Sequence, residues 1–180
     1  MSGAIYDGTK NYTLHFGDDY RNAQERASGR VKGTEAGRER YNGGLSSPLE
    51  TRLQRGDALY RFSGSAAMSV DKRASGEWWF DRETLLFLMS RGGGTDAGFR
   101  QVARTAFAVI DEWSDMNFCV SGILAHDVWA IGGNTAAASG RGGTLHNPYG
   151  LSVRQLFVPG GLKPSDFSLV RPVMLTRVAY

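Results

Sequence analysis

Two polar side chains on short apolar runs are the residues in this sequence best suited to grip a charged or hydroxylated ligand. One is the guanidinium of Arg61, in Leu59-Tyr60-Arg61-Phe62-Ser63; the other is the amide of Gln155, in Arg154-Gln155-Leu156-Phe157-Val158. Apolar runs of this length bounded by chain breakers predict strands, and Pro159-Gly160-Gly161 closes the second run abruptly. Side chains alternate along a strand, so Leu59, Arg61 and Ser63 share one face while Tyr60 and Phe62 take the other. An arginine so placed offers a bidentate fork for phosphate. The small residues Ser63-Gly64-Ser65 that follow let an anion approach the backbone. Ahead of Gln155, after Ile131-Gly132-Gly133-Asn134-Thr135, a glycine-rich loop is expected through Arg141-Gly142-Gly143 to Tyr149-Gly150. Loops of that length are functional or disordered. Arg61 and Gln155 are therefore expected to face each other across a cleft beside it, against the plainer reading of Arg61 as an edge-strand arginine in solvent.

Other constellations are weaker. Asp111, Glu112 and Asp115 read as a solvated helix face, and His126-Asp127 as a turn between strands. His15, His126 and His146 lack metal-ligand spacing, and a lone cysteine argues further against zinc. Gly92-Gly93-Gly94 follows an apparent helix and lacks the Lys-Ser/Thr of a phosphate-binding loop. No nucleophile elbow or Ser/His/Asp order stands out. Cys119, in Phe118-Cys119-Val120, reads as a small buried hydrophobe, so folding needs no oxidising compartment.

The elements that must position these residues begin late. With 180 residues, 41% hydrophobic and 22% charged, the chain suits one globular domain. Its net charge of +3 permits phosphate contact without arguing for a nucleic-acid partner. Residues 1–54 are polar and glycine-rich, which predicts a partly disordered arm, basic through Arg21, Arg26, Arg30, Lys32, Arg38 and Arg40. A short strand around Tyr6, Tyr12, Leu14 and Phe16 could dock on the body. The body, 55–180, holds adjacent tryptophans, Trp78 and Trp79, on opposite sides of a strand, one of them available to stack on a planar ligand. Asp81 caps a helix through Leu85 to Met89, and Thr95 or Asp96 caps a second that carries an apolar stripe from Phe99 to Trp113. Strands are expected at 118–125, 127–133, 152–158 and 167–178. No apolar stretch reaches the length of a membrane span, and no secretory signal opens the chain, so cytoplasmic folding is expected, with delivery elsewhere only by a signal-independent route.

This order of parts resembles the ADP-ribosyltransferase superfamily over roughly 56–178. It has an early-strand Arg61, a small-residue and aromatic strand (Ser75, Gly76, Trp78), a helix, a glycine-rich loop, and Gln155 before an apolar run ending in Pro159. The resemblance implies an α+β fold of two small packed, mainly antiparallel sheets with one or two helices. It implies that Arg61 and Ser63 hold the diphosphate or a ribose of NAD, that Ser75, Gly76, Trp78, Trp79 and Thr135 shape the pocket, and that Gln155 and Arg61 are catalytic. Val153 and Gln155 stand where transferases keep a Glu-x-Glu motif, a departure that resembles the NAD-glycohydrolase toxins. NAD is then a substrate, with no cofactor or metal. The implied function is cleavage of the nicotinamide–ribose bond by a toxin or effector, with an inhibitor or immunity protein as partner. Mono-ADP-ribosylation of a macromolecule and non-catalytic binding are the alternatives.

Overall fold

The computed structural model describes residues 31–35, 38–41, 43–64, 68–111 and 113–173. The strand expected around Tyr6 to Phe16 and most of the expected arm lie outside them, as do Glu112 and the end of the last expected strand. The described part of the arm is folded. Strands β1 (Val31–Glu35) and β2 (Arg38–Tyr41) form an antiparallel hairpin, and β3 (Leu45–Leu53) is an edge strand of the main sheet. Leu45 and Leu53 are buried in the core. Composition hid this strand, because a bulge between Ser46 and Leu49 interrupts the period-two pattern.

Strand β4 (Ala58–Ser63), helix α1 (Val70–Arg73), β5 (Gly76–Phe80), α2 (Arg82–Arg91) and α3 (Asp96–Ala106) follow. Then come β6 (Phe118–Leu124), β7 (Val128–Thr135), the hairpin β8 (Ala138–Gly140) and β9 (Gly143–Leu145), β10 (Arg154–Leu162) and β11 (Phe167–Pro172). The class is α+β with antiparallel pairing. In place of two separate sheets, seven strands run in the order β11-β6-β4-β5-β10-β7-β3. Yet β4 and β5 meet through a single residue pair, Tyr60 and Phe80, whereas β4 pairs with β6 from Ala58 to Ser63. A three-stranded half and a four-stranded half therefore join at one point and part beyond it.

The inner face buries Leu59, Trp79, Val120 and Leu156 together with Leu53 and Phe167, which come from the two edge strands. One cluster fed from both edges requires the sheet to curl about that face. On the outer face Phe62 stacks on Phe80 and packs against Phe99 and Phe107, beneath α2 and α3. Helix starts follow the sequence: the Asp81 side chain accepts from the Thr84 N–H at 2.8 Å and Thr95 Oγ1 from the Gly98 N–H at 3.0 Å. Each such cap contributes about 1 kcal/mol.

Helix α3 stops short of the expected stripe. Ala108 takes φ 47° and turns the chain, so Ile110 packs with Ala138 and Leu145 while Trp113 stays half exposed. Gly132 and Gly133 lie inside β7 as expected, and the expected long loop after them is partly strand: β7 runs on to Thr135, and Arg141-Gly142 is the turn of the β8–β9 hairpin. Pro159-Gly160-Gly161 bends β10 without ending it. Gly160 and Gly161, at φ 81° and 76°, form an irregularity between the Phe157 and Leu162 pairings. Cys119 is 3% exposed, and burial pushes its thiol well above the ordinary range, in keeping with an inert core residue.

Candidate functional site

Register assigns each candidate to a face. Arg61 lies opposite Val120 on β6, and Leu156 opposite Trp79 on β5; all of these belong to the inner face. Gln155 lies opposite Phe80, whose ring packs with Tyr60 and Phe62 on the outer face. Arg61 and Gln155 therefore project from opposite sides of the sheet, and the shared cleft expected for them does not form. They are separated lengthwise as well, since Gln155 sits at the Phe80 end of β5 and the Arg61 guanidinium reaches Gly76 at the other, roughly 13 Å along a strand. The cause is a strand order in which one-residue parity decides the face.

The partings between β4 and β5 make the more interesting site. Beyond Tyr60 and Phe80 the two strands stop pairing, and Arg61 fills the opening. Its Nη1 donates to the Trp78 carbonyl at 3.0 Å, bridging the two halves of the sheet. The guanidinium lies flat under Gly76, where a Cβ would stand 2.6 Å from Cζ and 2.7 Å from both terminal nitrogens. Gly76 also has φ 143°, a conformation that favours glycine. Buried Arg61 Nε and buried Ser63 Oγ, two residues on along the same face, have no hydrogen-bond partner among the described residues. Unpaired buried donors cost roughly 1–3 kcal/mol each, which is the usual mark of a position held for a ligand or strain. Burial pulls the Arg61 pKa below the ordinary arginine value, opposed by the nearby negative charge of Glu77. The guanidinium stays protonated even so.

The structure thus brings together Arg61, Ser63 and Gly76, with Trp78 contributing its backbone carbonyl. Neither tryptophan ring offers a stacking surface there. Trp79 is 1% exposed, donates Nε1–H to the Gly76 carbonyl at 2.7 Å and packs on Phe167; the Trp78 ring is on the outer face against Phe157. Ser75 Oγ turns back to the Asp71 carbonyl at 3.2 Å. Thr135 donates to Gln155 Oε1 at 3.2 Å, so these two form a separate polar pair on the outer face.

Sequence reading missed two charged groups beside the opening, Glu77 and Arg73. Alternation from Trp79 would have placed Glu77 on one face, but nothing in the sequence shows that β5 neighbours β4. It also left Arg154 without a role. Arg154 is a half-buried inner-face arginine whose Nη2 donates to Thr51 Oγ1 at 2.6 Å through the gap left by Gly132, where a Cβ would stand 2.6 Å from that nitrogen.

No family model and no curated protein matches the chain. Among solved structures it is similar to one described as "Rhs1-CT in complex with cognate immunity protein RhsI1", with 14% identity over 72% of this chain and 79% of that chain and a TM-score of 0.37. Similarity at that level carries no argument about fold or activity.

Proposed function

We propose that this chain is an NAD-consuming enzyme that breaks the nicotinamide–ribose bond at the β4–β5 opening, with water as acceptor. The observation that carries the reading is Arg61: a half-buried guanidinium bridging two halves of a sheet, with one buried N–H and a neighbouring serine hydroxyl lacking partners. Phosphate supplies the acceptors that these donors lack, and a guanidinium holds it through parallel hydrogen bonds. Glu77 shares the inner face with Arg61 by alternation from Trp79 and replaces Gln155 as the group suited to the ribose. As the glycosidic bond breaks, its electron pair goes to the nicotinamide nitrogen and positive charge develops on the ribose. A fixed carboxylate stabilises that charge. Water then bonds to the anomeric carbon and releases a proton, giving ADP-ribose and nicotinamide. A role as a toxin or effector, and an inhibitor protein as partner, rest on the family resemblance alone.

Purified full-length chain incubated with NAD should release nicotinamide, and Glu77→Gln should lower kcat by roughly a hundredfold or more, the scale of losing one transition-state electrostatic contact. A folded chain that releases none refutes the proposal and leaves a binding module. Labelled ADP-ribose recovered on a macromolecule would point to transfer; recovery as the free compound supports hydrolysis.

A further inference from the structure

On the inner face, Ser63 of β4 lies directly opposite Phe118 of β6, which alternates with inner-face Val120. Over the Phe118 ring sits the guanidinium of Arg73, its Cζ 3.7 Å from the ring centroid. Arg73 belongs to α1, the short helix in the connection from β4 to β5, which is anchored by Val70 and Ala74 on the inner-face core. Because β4 lies between β6 and β5, Ser63 has a guanidinium on each flank: Arg73 above β6, and Arg61 in the opening toward β5. Ser63 is 8% exposed and its hydroxyl has no partner among the described residues.

We infer that Arg73 is the second cation of a diphosphate subsite, with Arg61 at one end, Arg73 at the other and the Ser63 hydroxyl between. This rests on the dinucleotide reading above and specifies which part of such a ligand this face holds. Paired strands lie roughly 4.8 Å apart and the β4–β5 opening adds to that, so a cation over β6 and one in the opening suit two linked phosphates better than one. Stacking on Phe118 fixes the orientation of the Arg73 fork, which lessens the entropy lost on binding. Glu77 lies beside Arg61 and offsets part of its charge.

Calorimetric titration of the full chain with ADP-ribose, inorganic pyrophosphate and adenosine tests this without relying on turnover. Wild type should bind ADP-ribose and pyrophosphate. Arg73→Gln should weaken both at least tenfold and reduce the salt dependence of binding, leaving any adenosine affinity unchanged. Arg73→Met keeps apolar cover on Phe118 and should show the same loss with an unchanged Tm, which separates charge from folding. Pyrophosphate binding by Arg73→Met within twofold of wild type overturns the inference, whether or not wild type releases nicotinamide. Arg73-dependent diphosphate binding without nicotinamide release supports the subsite and refutes the enzymatic reading.

Discussion

Replacing Gly76 by alanine tests the geometry on which the site depends. The new methyl would enter space held by the Arg61 guanidinium, 2.6 Å from Cζ, at a residue with φ 143°. Backbone strain of that kind costs roughly 1–3 kcal/mol. Arg61 is flexible enough to swing aside, but the swing breaks its 3.0 Å hydrogen bond to the Trp78 carbonyl, a charge-assisted bond contributing about 1.5–3 kcal/mol when buried and less here, where the group is half-buried. The sum is about 3 kcal/mol. For a chain of this size that lowers Tm by roughly 6–12 °C. Urea unfolding of wild type, Gly76→Ala, Arg61→Ala and the double variant separates the two contributions. With Arg61 truncated, Gly76→Ala should cost about 1 kcal/mol less than in wild type, because only the backbone strain remains. A Gly76→Ala variant within about 0.5 kcal/mol of wild type would refute the packing argument, and equal costs in both backgrounds would show that Arg61 does not lie against Gly76.

Gln155→Ala should leave nicotinamide release within about twofold of wild type and lower stability by about 1 kcal/mol, since it removes the acceptor of the Thr135 hydroxyl on the outer face. Loss of turnover at unchanged Tm would return the active site to that face. His126, in the β6–β7 turn, bonds the Asp127 carbonyl at 3.1 Å and Asp166 at 3.2 Å, and these contacts raise its pKa above the ordinary 6.5. The raised value means a contribution fully present below pH 6.5 and lost as pH rises through the folded-state pKa. His126→Gln should flatten stability across that window, and an unchanged slope would count against the pairing. Asp127 runs the other way. The Arg55 N–H and the Arg52 side chain lower its pKa, so Asp127→Asn should remove a stabilisation that wild type loses as pH falls below 3.8.

Elements with a strong local signature were readable in advance. Asp81 and Thr95 cap the helices that their side chains announce, the four strands expected in the C-terminal half start within two residues of their expected positions while the β8–β9 hairpin went unforeseen, and Cys119 is buried as its neighbours suggest. Features set by distant partners were misread. Arg154 showed no partner in the sequence, yet it reaches Thr51 through the gap that Gly132 leaves in mid-strand. Leu45 to Leu53 looked like the end of a solvated arm, yet they form an edge strand whose pattern a bulge obscures.

By itself the sequence determined that Arg61 and Ser63 share a face and that Gln155 sits on a late strand, because alternation and turn chemistry act over a few residues. Which faces those were, and which strands became neighbours, only the tertiary structure decided. Pairing β5 with β10 so that Gln155 opposes Phe80 sent the amide to the outer face, and the single Tyr60–Phe80 contact opened the gap that Arg61 fills. A shift of one residue in either pairing would reverse those directions at no local cost. Burial of Trp79, Leu156 and Val120 in one inner core selects the register observed.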